Sequence, residues 1–231
     1  MQIITRHFRL TVFATLLSVF ATGCGIYNAT PVTIPTIREK GEWHLEGGIV
    51  PYGIPTFLFL PRASAAYGLT DHVALAASID PVRSWTQVMG GVYFPVNEKF
   101  VWEVYGGFGT GRGTDGGVVS KSEDYGTYKM AFVQGDCGWR NLTDFLHIDV
   151  AMSLKTGLAF YHMYYYSYDD AYREKEGINF VINPMLEVRF GSEKIKFNVK
   201  VGYPYLIPDA SGLKLDAPED GDVGVGVSFY L

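Results

Sequence analysis

Apolar and polar residues alternate with a period of two from Gly41 onward, the spacing that turns successive side chains to opposite faces of a strand. In 194–201, Lys194, Lys196, Asn198 and Lys200 alternate with Ile195, Phe197, Val199 and Val201. In 147–158, His147, Asp149, Ala151, Ser153, Lys155 and Gly157 alternate with Ile148, Val150, Met152, Leu154, Thr156 and Leu158. Residues 42–49 set Trp43, Leu45 and Ile49 against Glu42, His44 and Glu46, and 223–231 alternate valine and phenylalanine with small residues and Tyr230. In 100–108 Phe100, Trp102, Val104 and Phe108 share a face opposite Glu103 and Tyr105; in 182–190 Ile182, Leu186, Val188 and Phe190 oppose Asn183, Glu187 and Arg189. The pattern predicts about ten strands, near 41–50, 57–68, 71–80, 84–94, 99–110, 125–138, 145–161, 177–190, 194–204 and 221–231. Several match the span of about 9–11 residues with which a tilted strand crosses a bilayer. Pro61 interrupts the second strand, and Pro184 removes a ladder donor from the eighth, which predicts a bulge there.

The connections carry a second pattern. Short turns at Leu69-Thr70, 95–98, 139–144 and Ser192-Glu193 alternate with long segments at 111–124, 162–176 and 205–220. Short turns at one end and long loops at the other belong to an outer-membrane barrel. An even strand count puts both chain ends at the short-turn end. The expected fold is all-β: a closed antiparallel up-and-down transmembrane barrel of about ten strands over 41–231. Closure pairs every backbone N–H and C=O between strands, as a bilayer requires.

Upstream, Arg6 and Arg9 precede an apolar run from Leu10 to Ala21. A basic start, a short apolar core and small residues at a cut site make a secretory signal over 1–23. The run is shorter than the roughly 20 residues of a membrane-spanning helix. The string Ala21-Thr22-Gly23-Cys24 resembles a bacterial lipoprotein signal. That resemblance implies that Cys24 becomes the lipidated first residue of the mature chain; an ordinary signal with an incidental cysteine is the alternative. Residues 24–40, with prolines and no periodicity, read as a lipidated tether.

Composition narrows the function classes. The 231 residues carry a net charge of −5 with no basic stripe, which argues against nucleic-acid binding. There are two cysteines, so a lipid on Cys24 leaves Cys137 without an intrachain partner and no disulfide framework. The 16 Tyr, 15 Phe and 27 Gly favour β-structure, and the aromatic surplus suits a membrane interface.

Two strings carry a resemblance over 41–231. Tyr67-Gly68-Leu69-Thr70-Asp71-His72-Val73-Ala74-Leu75 and the terminal Val227-Ser228-Phe229-Tyr230-Leu231 are similar to strands of small outer-membrane β-barrels of Gram-negative bacteria, and Phe132 to Leu154 resembles those of the Bacteroidetes type. The resemblance implies outer-membrane lipid as partner and leaves other envelope proteins open as partners. A rival comes from Gly41-Glu42-Trp43, which matches the Gly-x-Trp of lipocalins. A lipocalin-like barrel would turn the apolar face inward around a small apolar ligand.

On the membrane reading, Glu42, His44, Glu46, Glu103, Asp149, Lys155, Glu187, Arg189, Lys196 and Lys200 share a narrow lumen, where both signs can pair into a plug. His147, Asp149 and Ser153 suggest a triad, but His147 and Ser153 would stand roughly 20 Å apart along one strand. His44 with Glu42 and Glu46 offers no metal site, because same-face neighbours lie about 7 Å apart. Residues 106–117 resemble a phosphate loop but lack its Gly-Lys-Ser/Thr ending, and read as a flexible extracellular loop. Tyr164, Tyr165, Tyr166 and Tyr168 open the next long loop, as an interfacial belt or a contact surface. No cofactor or metal is expected. The function expected is a non-enzymatic barrel lipoprotein, structural or accessory in an envelope complex and anchored from the periplasmic side. The alternatives are a lipocalin-like binder and a lipid-modifying enzyme resembling lipid A deacylases or acyltransferases.

Overall fold

The computed structural model describes residues 32–52, 58–81, 84–114, 125–143, 145–166, 172–208 and 222–231. Their ordered elements are strands: β1 (Trp43–Tyr52), β2 (Leu58–Gly68), β3 (Val73–Asp80), β4 (Trp85–Pro95), β5 (Phe100–Thr114), β6 (Tyr125–Trp139), β7 (Asp149–Tyr166), β8 (Tyr172–Gly191), β9 (Ile195–Gly202), β10 (Tyr205–Pro208) and β11 (Asp222–Tyr230). From β1 to β9 each strand pairs antiparallel with the next; β9 pairs with β11, and β11 returns to β1. The sheet is therefore a closed barrel of ten staves. β10 is no eleventh stave: it pairs with β8 in the register that β9 already holds, and so continues β9 beyond Tyr203-Pro204. Following the ladders once round the ring climbs about 12 residues, a stagger that goes with strands tilted by about 40°.

The faces are inverted relative to a water-soluble protein. Leu75, Val88, Trp102, Val133, Leu154, Leu186 and Phe197 are exposed on the outside, whereas Glu103, Lys155, Glu187, Arg189 and Lys196 are at most 1% exposed inside. An apolar exterior with the charges enclosed is the arrangement of a transmembrane barrel, in which lipid is the outer solvent. A lipocalin-like apolar cavity is thereby ruled out as the organising feature. Trp43, Tyr67, Phe94, Phe100, Trp102 and Trp139 gather at the short-turn end, where Trp43 meets Tyr67 at 4.6 Å and Phe100 meets Trp139 at 4.4 Å. Amphipathic rings collect where hydrocarbon gives way to headgroups.

Several expectations need correction. Gly106 to Thr114 is not a loop: it prolongs β5, paired from Gly106↔Val133 to Thr114↔Tyr125. The absent side chains make room inside, since a Cβ on Gly109 would lie 2.1 Å from Trp85 and one on Gly107 2.4 Å from Phe132. Likewise Tyr164, Tyr165 and Tyr166 end β7 instead of opening a loop, and β8 begins at Tyr172. One-sided length is thus carried by long strands as well as by loops. At the other end, the turn expected over 139–144 runs over 140–148. Pro184 makes no bulge, because β7 and β8 keep one register from Asp149↔Arg189 to Tyr166↔Tyr172. The effect of proline appears on the opposite edge of β8, where the ladder to β9 breaks at Tyr203-Pro204 and resumes in β10.

The largest departure concerns the segment before β1. Val32 to Ile37, expected in a tether ahead of the barrel, are fully buried within it. The chain rises from Lys40 past Gly68, where an added Cβ would lie 2.3 Å from the Glu39 carbonyl oxygen, and past Gly138, where one would meet Thr36 at 2.5 Å. Two glycines on the lumenal wall thus leave a channel for this strap.

Candidate functional site

The lumen is where the enclosed side chains converge. Nearest the short-turn end, Arg140 pairs with Glu42, and Lys196 pairs with Asp149 while donating to Asn141 Oδ1 at 2.8 Å. Arg189 is held by Glu187 through two bonds of 2.8 and 2.7 Å. Lys200 reaches Glu46 at 2.6 Å and Glu187 at 3.6 Å. Lys155, higher in the barrel, donates to Gln87 at 2.6 Å and stands 4.0 Å over the Phe132 ring. Alternation turns the strand residues among these inward; Glu187 and Arg189 are same-face neighbours on β8, and strand pairing brings Lys200 between Glu46 and Glu187. Charges removed from water need such partners, because an unpaired buried ion costs several kcal/mol.

Tyr230 is the hub at the base of the lumen. Its hydroxyl accepts from Arg189 at 2.6 Å, Arg140 lies 4.1 Å over its ring, and His44 stacks on it at 4.7 Å. Arg140 itself lies beyond β6. Burial opposes its charge, but Tyr230 and the Glu42 carboxylate outweigh this and hold its pKa above the ordinary arginine value.

The strap fits this framework through its backbone. Glu103 accepts from Thr36 N–H at 2.8 Å and Ile37 N–H at 2.7 Å, one on each carboxylate oxygen. Thr36 has φ of 53°, and this left-handed turn aims two successive N–H groups at one anion. Gln134 donates to the Thr33 carbonyl at 2.7 Å, Arg189 to the Ile34 carbonyl and to Thr36 Oγ1, and Arg140 to the Thr36 carbonyl. Pro35 has no N–H to satisfy. Val32 and Ile34 pack on Ala151 and Met185. Farther up, Trp85 and Tyr128 stack at 4.9 Å in the same apolar cluster as Phe132, Met130 and Tyr161. The lumen therefore holds an ionic layer, a strap and an aromatic layer.

The ten charged or histidine positions picked from alternation all lie on the lumenal side, but His44 makes no hydrogen bond from either ring nitrogen. Alternation missed Gln134, Asp136 and Arg140, whose signal lay in pairing: Asp136 is the register partner of Glu103. It missed the strap altogether. The residues considered for a triad stay apart: His147 lies in the turn before β7 at φ 41°, and Asp149 is engaged by Lys196 and Asn141 N–H. Among the described residues no histidine hydrogen-bonds a serine. Tyr164 is half-buried and packs on His162 at 4.6 Å, while Tyr168 lies outside the described residues. Among the described residues one grouping with metal-ligand chemistry occurs, away from His44: His162, Glu174 and Glu176, on the outer face of β7 and β8, bring ligand atoms within 4.8 Å of one another. Glu174 and Glu176 approach opposite nitrogens of the ring, so the imidazole bridges them.

No protein-family model matches the chain, and no curated protein does. Among solved structures, a "KdgM porin in complex with disordered oligogalacturonate" is similar, at 13% identity and a TM-score of 0.37, covering 81% of this chain and 98% of that one.

Proposed function

We propose that this chain is a plugged, non-enzymatic barrel of the bacterial outer membrane, lipid-anchored through Cys24, with a structural or accessory role in an envelope complex. The observation that carries this reading is the occupied lumen: Glu103, Gln134, Arg140 and Arg189 hold Thr33 to Ile37 across the interior. A solute pore keeps such a path open. An acyl-transferring barrel needs a nucleophile and base in contact at its bilayer edge. The chain enters β1 and leaves β11 at the short-turn end, and in this reading that end faces the periplasm, with the long ends of β5 to β8 on the outer side.

The test is reconstitution of the mature chain into planar bilayers and into phospholipid vesicles. The expected outcome is insertion with neither sustained ion conductance nor acyl-chain release. A stable open channel would replace this reading with a porin, and hydrolysed or transferred acyl chains would replace it with an enzyme. Capture of envelope proteins from detergent-solubilised membranes then tests the accessory role.

A further inference from the structure

The outer face of β5 and β6 carries a polar square directly above the apolar band. Thr110 pairs with Lys129, and Arg112 pairs with Thr127. All four are exposed, whereas Gly109, Gly111, Tyr128 and Met130 between them point inward and are buried. The cations therefore occupy one diagonal of the square and the hydroxyls the other. Diagonal neighbours in a ladder stand about 7–8 Å apart, a gap that two long basic side chains can close around one anion.

The surroundings select the kind of anion. Below the square the outward positions of β5 and β6 are Phe108, Ala131 and Val133, and across the ladder Lys129 faces Phe160. On these strands Arg112 and Lys129 are the first outward charges above hydrocarbon-facing residues. That is the level at which lipid headgroups sit. Among the described residues neither has an ion-pair partner. Glu174 and Glu176, exposed on the outside of β8, repel anions and confine the basic site to the β5–β6 side.

We infer that Arg112, Lys129, Thr110 and Thr127 bind the phosphate of an anionic lipid in the leaflet at the long-loop end, with its chains lying along Phe108 and Phe160. This rests on the outer-membrane reading above. The square recognises a phosphate monoester at the bilayer surface: two cations meet the charge, the Thr127 hydroxyl donates to a remaining oxygen, and the Thr110 hydroxyl does so on releasing the Tyr128 carbonyl, to which it donates at 3.4 Å, while the apolar strip fixes the chains.

The experiment uses the full mature chain in phosphatidylcholine nanodiscs, with phosphatidic acid of the same chain length as probe and native mass spectrometry of retained lipid as readout. The expected result is retention of phosphatidic acid about tenfold over phosphatidylcholine, the scale of one charge-assisted hydrogen bond. Arg112→Gln with Lys129→Gln should bring this ratio to parity, and Arg112→Lys with Lys129→Arg should preserve most of it. Each single glutamine variant should lower the ratio severalfold, which keeps the test decisive if the double variant does not fold. No preference in the native chain, or one that survives the double variant, overturns the inference. So does complete displacement by millimolar inorganic phosphate, which would mark a free-ion site. Failure of the native chain to enter the bilayer removes the barrel reading itself, whereas insertion without selectivity removes this inference alone.

Discussion

At the scale of single residues, the lumen depends on groups whose partners lie far away in sequence. Glu103 accepts two N–H bonds from Thr36 and Ile37, 67 and 66 residues upstream. Glu103→Gln keeps one acceptor and turns an amide donor toward those donors. Its expected cost is about 1–3 kcal/mol, read as a lower urea midpoint of the refolded barrel, with earlier proteolysis of the strap. Gly109 is a second sensitive point, because Trp85 fills the space that a side chain would take. Gly109→Ala should destabilise by about 1–3 kcal/mol, and Trp85→Ala in the same chain should recover part of that loss. A double-mutant cycle showing simple additivity would separate the two positions. Glu46, Glu103, Asp149, Lys155, Glu187, Arg189, Lys196 and Lys200 were legible as inward-facing from alternation alone, whereas Asp136 and Arg140 were not. Which acid each base meets was not legible either, since Lys200 bonds to Glu46 across 154 residues and that choice depends on which strands close the ring.

At the scale of elements, each strand is a two-sided ribbon with lipid on one side. Leu154 is half-exposed in the apolar outer band of β7, between Met152 and Leu158, with Lys155 fully buried beside it. Leu154→Arg places a charge in hydrocarbon and should cost about 2–4 kcal/mol, whereas an outward change to Phe should be tolerated. Loss of the heat-modifiable folded band in the arginine variant, with that band retained by Leu154→Phe, is the expected outcome. Strand positions were readable because period-two alternation is a local property. Strand ends were not. The glycines of 106–114 resemble a loop in isolation, yet the inward ones in β5 exist to receive Trp85, Phe132 and Tyr128. A bulge at Pro184 was a fair local expectation, but the missing N–H falls where the β8–β9 ladder already breaks.

At the scale of the whole molecule, an apolar exterior and a closed ring imply that lipid is part of the fold. Cys24→Ser is expected to abolish acyl labelling in cells while leaving the barrel able to fold in vesicles, since the ten staves close without that residue. Persistent labelling of the variant would place the modification elsewhere. The sequence by itself determined the fold class, the approximate strand number and the lumenal face of the ten charged or histidine positions picked from alternation. Those follow from alternation and turn spacing, which are set by near neighbours in the chain. Only the tertiary structure decided that Val32 to Ile37 fill the lumen, that Arg140 and Asp136 belong to its lining, and that Arg112 and Lys129 are diagonal neighbours on the outer face of β5 and β6. These depend on register and closure, which join residues with no local signature of one another. The strap makes the distinction sharpest: it has no periodicity because it is part of no ladder, and its place is fixed by side chains that the barrel assembles from five strands or turns.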